Sequence, residues 1–135
     1  MTVRSWLLIL VMEIVTVAAV MSIFQVIDKQ IAGLIGGFIF SILGIFIGLR
    51  LVQTRSFLTS ATFWWLFVYM FYSVLPMMIT RLTNWGVEFE QLTIWGITGP
   101  DFHQVARNIY LILILATVID LAFTIIRNRR TKHNA

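Results

Sequence analysis

The chain has 135 residues, of which 59% are hydrophobic and only 12% charged, and its mean hydropathy is +0.91. A soluble domain has about 45–50% apolar and about 25% charged residues, so the composition excludes a water-soluble domain and predicts an integral membrane protein. The sequence contains no cysteine, which excludes disulfides, thiolate nucleophiles and Cys-ligated metals. The net charge of +4 is typical of basic residues that flank membrane spans, and we expect no nucleic-acid partner.

Each of four apolar runs is long enough to form a transmembrane helix: 6–27, 31–49, 57–79 and 105–126. At 1.5 Å per residue each run reaches about 30 Å, the thickness of the hydrocarbon core. Lipid offers no partners for backbone N–H and C=O groups, so these spans are helices. The sequence therefore predicts an all-α integral membrane protein, a single domain over 1–135 with four transmembrane helices in an antiparallel bundle.

The first run is expected to be an uncleaved membrane anchor. Val17-Ala18-Ala19 resembles a signal-peptide cleavage site, but Glu13 interrupts the apolar stretch before it, and the run continues well past it. The second run follows after Asp28-Lys29-Gln30, and this connection is so short that the first two helices are predicted to be neighbours.

The second run carries a stripe of small residues. At about 100° per residue, five positions fall on one side of the helix: Gly33, Gly37, Ser41, Gly44 and Gly48. Small residues allow another helix to approach closely. The favoured interpretation is a contact within the chain, with Ala18 and Ser22 of the first helix. The alternative is a surface for a second copy or for a larger membrane-protein partner.

The third run is rich in aromatic residues, and several lie deeper than the interfacial positions typical of Trp and Tyr. Core packing or contact with lipid is the favoured interpretation. A pocket for a flat ligand is the alternative. Pro76 predicts a kink near the outer end of this helix, because proline removes one backbone hydrogen bond.

The segment 81–104 is the only substantial loop and is predicted to lie on the outer face. Its candidate surface residues are Trp85, Phe89, Trp95 and His103. The stretch 87–94 fits an interfacial helix and an extended chain equally well. Gly99-Pro100 predicts a turn, after which Asp101 is expected to cap the fourth helix, with Gln104 completing a capping box.

The orientation follows from the distribution of Lys and Arg. With both termini inside, seven basic residues face the cytoplasm and three face outward; the inner ones are Arg4, Arg50, Arg55, Arg127, Arg129, Arg130 and Lys132, and the outer ones Lys29, Arg81 and Arg107. We therefore predict the bacterial inner membrane as the location, with both termini cytoplasmic.

Two acids lie inside the spans, Glu13 and Asp120, and this orientation places them at similar depth in the inner half of the bilayer. Ionisable groups inside a span are costly and usually face a protein interior or a water cavity. The favoured interpretation is structural, in which each acid stays protonated or pairs with Arg50, Arg55 or Arg127. The alternative is that the two acids share a proton and couple proton movement to transport.

Hydroxyl groups lie near both acids in the sequence. Thr16 is one turn from Glu13, while Thr117 and Thr124 flank the second acid on the same helical face. A glutamate in the first of four spans also resembles small multidrug transporters. That resemblance rests on Glu13 alone, and the long outer loop and basic tail have no counterpart in those compact proteins, so no family is assigned.

The chemistry available for catalysis is scarce. The only histidines, His103 and His133, are predicted to lie at opposite faces of the membrane, which excludes bis-His haem ligation inside the bundle. No metal-ligand spacing or catalytic motif occurs, so we expect no metal, no cofactor and no enzymatic activity. The predicted function is a non-enzymatic accessory, assembly or structural subunit. It would pack through its small-residue helix face as a homo-oligomer or with a larger membrane-protein partner in the lipid bilayer. The alternative is a small proton- or cation-coupled transporter or channel-like protein that uses Glu13 and Asp120.

Overall fold

Helices dominate the structure. The computed structural model of the protein describes residues 1–133, and 83% of it is helical. Four helices are long and apolar enough to cross a membrane: Val3–Val26, Lys29–Gln53, Ala61–Thr83 and Gly99–Lys132. The predicted all-α character with four candidate spans is thereby confirmed. The last two residues, Asn134 and Ala135, which were assigned to the same domain and to the cytoplasmic C-terminus, lie outside the described residues.

The elements in chain order are α1 (Val3–Val26), α2 (Lys29–Gln53), α3 (Ala61–Val68), a π-helical turn (Tyr69–Val74), α4 (Leu75–Thr83), a 3₁₀ turn (Phe89–Gln91), β1 (Thr93–Ile94), β2 (Ile97–Thr98) and α5 (Gly99–His133). The third span consists of α3, the π-helical turn and α4. We call residues 84–98, between α4 and α5, the connecting segment.

Every span differs somewhat from its predicted bounds, most clearly at the starts of the last two. The third span begins at Ala61 rather than at 57, because the Ser60 hydroxyl caps it and accepts a hydrogen bond from the Phe63 N–H at 3.2 Å. The last helix begins at Gly99, two residues before the predicted cap. The N-cap assignment of Asp101 is therefore wrong; this residue lies in the first turn, where its carboxylate accepts a hydrogen bond from the Thr98 hydroxyl at 2.7 Å.

The four long helices form a ring. α1 packs against α2 and α5, and the third span packs against the same two helices. The buried side chains at the centre come from all four: Trp6, Ile9, Leu43, Ile47, Leu51, Leu66, Tyr69, Val74, Tyr110, Leu113 and Leu121. Large apolar side chains also cover the outside of every helix, including Val15, Ile45, Phe67 and Phe123.

The small-residue stripe of α2 packs against the third span. A Cβ atom added at Gly37 would lie 2.5 Å from Cγ of Met78, and one at Gly44 would lie 2.7 Å from Sδ of Met70. Only glycine therefore leaves room for these methionines. This corrects the expected contact with the first helix through Ala18 and Ser22. Gly33, also in the stripe, lies against the Arg81 side chain, and the Ser41 hydroxyl donates to the Gly37 carbonyl at 2.8 Å. A Cβ atom added at Gly48 would have no atom of the described residues within 4 Å.

Next to Pro76, where a kink is predicted, the third span contains a π-helical turn, which immediately precedes α4. Proline has no N–H, so the carbonyl four residues earlier, that of Tyr72, lacks its helical donor. The indole N–H of Trp95 donates to this carbonyl at 3.1 Å, and the Trp95 ring stacks on the Tyr72 ring at 5.8 Å. The connecting segment thus satisfies a backbone group that the proline leaves free.

The connecting segment forms a small antiparallel hairpin rather than an interfacial helix. Thr93 pairs with Thr98 and Ile94 with Ile97, so the turn consists of two residues. These are Trp95 and Gly96, with φ of 55° and 75°. Two positive φ values define a type I′ turn, which matches the twist of a hairpin. A left-handed tryptophan is unusual, and its stacking and hydrogen bond hold it in this conformation.

Candidate functional site

Asp120 of α5 lies at the N-terminus of the third span. Its Oδ2 accepts hydrogen bonds from the hydroxyls of Ser60 at 2.8 Å and Thr62 at 2.7 Å, and from the Thr62 N–H at 2.8 Å. Its Oδ1 accepts from the Ala61 N–H at 3.3 Å. The first N–H groups of a helix have no intrahelical partner and carry a partial positive charge. Asp120 therefore caps a neighbouring helix, in surroundings made only of hydrogen-bond donors.

Glu13 of α1 has very different surroundings. Its side chain is 0% exposed, and only one of its two carboxyl oxygens has a partner. Oε1 lies 2.9 Å from the Thr117 hydroxyl of α5, while Oε2 is buried without a hydrogen bond. The Tyr110 hydroxyl donates to the backbone carbonyl of Glu13 at 2.6 Å. This carboxyl group is thus deeply buried and poorly satisfied.

Two threonine hydroxyls join the two acids. Thr117 Oγ1 lies 2.9 Å from Glu13 Oε1 and 3.3 Å from Thr62 Oγ1. Thr62 Oγ1 lies 2.7 Å from Asp120 Oδ2. All four side chains are buried, and they come from α1, α5 and α3. We call Glu13, Thr117, Thr62 and Asp120 the carboxyl–hydroxyl chain. The acids do not touch each other, yet an unbroken series of hydrogen-bond contacts connects them.

Several expected partners of the acids are different in the structure. Within residues 1–133 neither acid lies within 4.0 Å of a basic side chain, so the expected pairing with Arg50, Arg55 or Arg127 is wrong. Thr117 binds Glu13 rather than Asp120. Thr16, the expected hydroxyl partner of Glu13, makes no hydrogen bond to its carboxyl group in the described structure. Thr124, expected at the Asp120 carboxyl group, instead donates to the Asp120 backbone carbonyl at 2.8 Å.

Sequence reasoning missed Ser60 and Thr62. The available signal was a serine immediately before a long apolar run, which is typical of a helix N-terminus. That signal locates the cap of the third span. It does not show that a carboxylate from another helix completes the cap, since that depends on how the helices pack.

A cavity of about 250 Å³ lies between all four helices, toward the end that carries the connecting segment. Most of its wall is apolar and includes Val17, Phe40 and Met77. Its polar lining residues are Ser73, Tyr69, Tyr110, Arg81, His103 and Arg107. His103 and Arg107 are exposed at its mouth. No carboxylate lines this cavity in the part of the chain that the structure describes.

The bottom of the cavity is an aromatic cluster. The rings of Phe40, Tyr69 and Tyr110 lie 5.0 to 5.6 Å apart between centroids. Tyr110 belongs to both features of the site, because its ring lines the cavity and its hydroxyl is bonded to the Glu13 backbone. The cavity therefore ends next to the first member of the carboxyl–hydroxyl chain.

The predicted surface residues of the outer loop have distinct environments. Trp85 and Trp95 are both exposed, and Trp95 also stacks on Tyr72 of the third span. Phe89 lies with its ring centroid 4.6 Å from the guanidinium carbon of Arg81. His103, expected in a loop, belongs to α5. Over residues 1–133 no three His, Asp or Glu side chains are close enough together to hold a metal ion.

No protein-family model, no curated protein sequence and no solved structure matches this chain.

Proposed function

We propose that the protein is a non-enzymatic, multi-pass protein of the bacterial inner membrane that couples proton movement to transport through Glu13 and Asp120. The accessory-subunit hypothesis rested on the small-residue stripe as a surface for another protein, on the scarcity of chemistry and on the small size of the protein. Two of those glycines, Gly37 and Gly44, instead lie against methionines of the chain's own third span. The carboxyl–hydroxyl chain and the cavity next to it favour the transport alternative.

Insertion in the bilayer is supported by where apolar and polar groups lie. Large apolar side chains cover the outside of each long helix, whereas the carboxyl groups of Glu13 and Asp120 are buried between helices. The connection between α1 and α2 consists of Ile27 and Asp28 only, which favours an antiparallel pair. An even number of spans puts both termini on one side, and the seven-to-three distribution of basic residues favours the cytoplasm.

The observation that carries the proposal is the number of hydrogens in the carboxyl–hydroxyl chain. Hydrogen bonds at all three oxygen–oxygen contacts require three hydrogens, but the two threonine hydroxyls supply only two, and the Leu113 carbonyl, 3.2 Å from Thr117 Oγ1, competes for one of them. One carboxyl proton completes the chain. Asp120 already accepts hydrogen bonds from four donors, whereas Glu13 has a single side-chain partner and an unpartnered oxygen. We therefore assign the proton to Glu13 and the negative charge to Asp120.

This arrangement defines a proton-transfer step. The Glu13 O–H bond breaks, and its proton forms a new bond to Oγ1 of Thr117. Thr117 passes its own hydroxyl hydrogen to Thr62, and Thr62 passes its own to Oδ2 of Asp120. Glu13 becomes a carboxylate, Asp120 becomes a carboxylic acid, and both threonines are regenerated. One positive charge moves from α1 to the N-terminus of the third span without any change in the protein's covalent framework.

The cavity and the carboxyl–hydroxyl chain together extend over most of a bilayer. His103, at the mouth, and Asp120, at the other end, are seventeen positions apart on α5 (120 minus 103). At 1.5 Å per residue this is about 25 Å, against a hydrocarbon core of about 30 Å. An outward cavity followed by a proton path is the arrangement that a proton-coupled transporter requires.

The proton assignment is tested by infrared spectroscopy of the purified protein. We expect the carbonyl stretching band of a buried carboxylic acid at neutral pH, and we expect Glu13→Gln to remove it. Glu88→Gln, in the exposed connecting segment, is the matched control and should leave the band in place. A band that survives Glu13→Gln would show that the proton lies elsewhere.

The transport function is tested in liposomes with a trapped pH-sensitive dye and an imposed pH gradient. We expect Glu13→Gln and Asp120→Asn each to reduce proton uptake to the level of protein-free liposomes, because each removes one end of the chain. Glu88→Gln should keep the wild-type rate. Wild-type uptake by both carboxyl variants would refute the proposal.

The orientation has its own test, since the chain has no native cysteine. Asn84→Cys in the connecting segment and Asn128→Cys near the end of α5 are both exposed positions. A membrane-impermeant maleimide added to intact cells should label the first and spare the second. The opposite labelling pattern would reverse the proposed topology.

A further inference from the structure

Arg81 is a buried cation that lacks an anionic partner. Its side chain is 4% exposed, and no carboxylate oxygen lies within 4.0 Å of its guanidinium nitrogens in the described part of the chain. Of its five N–H donors, one binds the Lys29 carbonyl at 3.1 Å, and Nε is buried without any partner. The Phe89 ring covers one face of the guanidinium. A buried charge with so few partners is costly unless a ligand supplies the missing acceptor.

The surroundings position this cation at the cavity. A Cβ atom at Gly33 would lie 2.9 Å from Cζ and Nε of Arg81, so the absence of a side chain there leaves room for the guanidinium. Ser73, which is 2% exposed, also lines the cavity and has a hydroxyl without a hydrogen-bond partner. Two buried polar groups on the third span thus lack partners in the same cavity.

The charges around the cavity select the ligand. Arg107 and His103 stand at its mouth, and no acid lines it. Asp28 and Glu90 lie with Arg81 around a separate cavity beside the connecting segment, where they attract the cation without pairing with it. The inner cavity is therefore the place where an anion meets an unpaired guanidinium, and its remaining wall is mostly apolar.

We propose that this cavity binds a small organic anion, with its acidic head on Arg81 and its body directed toward Ser73 and the aromatic cluster of Phe40, Tyr69 and Tyr110. Its volume of about 250 Å³ limits the ligand to a small molecule such as a single-ring carboxylic acid. The inference that this anion is also transported rests on the proposed function. The inference that the cavity binds it is independent of that function.

An acidic head on an apolar body has two sources, a soluble carboxylate or an anionic lipid. Equilibrium dialysis of the purified full-length protein with radiolabelled benzoate tests the first. We expect saturable binding of benzoate, and little competition from benzamide or benzamidine, which share its shape but are neutral or cationic. Extraction and quantification of phosphatidylglycerol that copurifies with the protein test the second.

Substitutions at and next to Arg81 test whether its guanidinium binds the benzoate. Arg81→Gln should weaken benzoate binding by about tenfold or more, as expected for a lost charge-assisted hydrogen bond. Gly33→Ala keeps the charge but displaces the guanidinium and should weaken binding as well, so the inference stays testable if Arg81→Gln fails to fold. Arg127→Gln, on the exposed end of α5, is the control of equal charge change and should bind like wild type.

The outcomes separate cleanly. Benzoate binding that both cavity variants weaken supports a soluble ligand, and phosphatidylglycerol that Arg81→Gln fails to retain supports the same site with the anion taken from the bilayer. If the protein neither binds benzoate nor copurifies with phosphatidylglycerol, the inference is overturned. The same holds if wild type and Arg81→Gln bind benzoate or retain phosphatidylglycerol equally. Glu13→Gln should still bind benzoate, because Glu13 does not line the cavity. A wild-type protein that binds benzoate but moves no protons would refute the proposed function and leave this inference intact.

Discussion

Replacing Thr117 with valine tests the carboxyl–hydroxyl chain with the smallest change in shape. Valine has the size of threonine but no hydroxyl, and Thr117 is fully buried. Among the described residues, the substitution removes the only hydrogen-bond partner of the Glu13 carboxyl group, at 2.9 Å. It also removes the 3.3 Å contact with Thr62 and the 3.2 Å hydrogen bond to the Leu113 carbonyl. Thr62 keeps its hydrogen bond to Asp120 at 2.7 Å, so the link between the two acids is lost while the cap of the third span is kept.

The magnitude follows from what remains unsatisfied. A buried polar group left without its partner costs about 1–3 kcal/mol, and here that group is the Glu13 carboxyl. We therefore expect Thr117→Val to lower the free energy of unfolding by about 1–3 kcal/mol. A positioned proton donor or acceptor typically contributes a factor of about 10²–10⁴ in rate, so proton uptake into liposomes should fall by about a hundredfold or more.

Thr124→Val is the matched control. It makes the same substitution two turns along α5, where the hydroxyl donates only to the Asp120 backbone carbonyl. Its effect on stability should stay within about 0.5 kcal/mol, with proton uptake unchanged. Thermal unfolding in detergent and dye-reported uptake measure the two quantities, and the infrared carboxyl band should shift in Thr117→Val only. Wild-type uptake and an unshifted band in Thr117→Val would refute the chain as a proton path.

Three further outcomes follow from the packing. Asp120→Asn should lower the thermal unfolding midpoint, because hydrogen bonds to a charged group contribute about 1.5–3 kcal/mol, whereas Asp101→Asn should hardly change it; equal midpoints would contradict the capping role. Trp95→Phe removes the indole N–H that binds the carbonyl freed by the proline, so amide hydrogen exchange in the hairpin should accelerate, and unchanged exchange would argue against that bond. Gly37→Leu should destabilise the protein by about 1–3 kcal/mol through overpacking, while Gly48→Leu, with nothing within 4 Å of its added Cβ, should be tolerated; similar losses in both would refute the packing of the stripe.

The sequence predicts the four long helices well because hydropathy measures a property of each span by itself. The ends are less well predicted for a physical reason. Hydropathy marks the length of apolar chain, but polar residues continue a helix wherever caps allow, so α5 runs to His133 although its apolar run ends at 126. The third span starts late because Ser60, rather than the first apolar residue, provides its cap.

The site was only half accessible to sequence reasoning. Glu13 and Asp120 stand out because carboxyl groups are rare in apolar spans, and a topology argument places them at similar depth. The hydroxyls that join them come from two helices, and their meeting depends on the rotation and register of those helices. The small-residue stripe shows the same limit, since its pattern indicates close packing without identifying Met70 and Met78 as the neighbours.

The two parts of the site are electrically complementary. An anion at Arg81 neutralises an unpaired cation in the cavity, and a proton on Glu13 keeps the carboxyl beneath it neutral. A monoanion and a proton together carry no net charge, so their joint passage avoids the cost of leaving a lone ion inside the bundle. Passage of either one alone would leave an ionised Glu13 or an unpaired guanidinium in surroundings of low dielectric constant. Because Tyr110 both lines the cavity and binds the Glu13 backbone at 2.6 Å, an anion against the aromatic cluster contacts the residue that positions the proton carrier. In the proposed mechanism, coupling follows from charge balance between the anion in the cavity and the proton on Glu13.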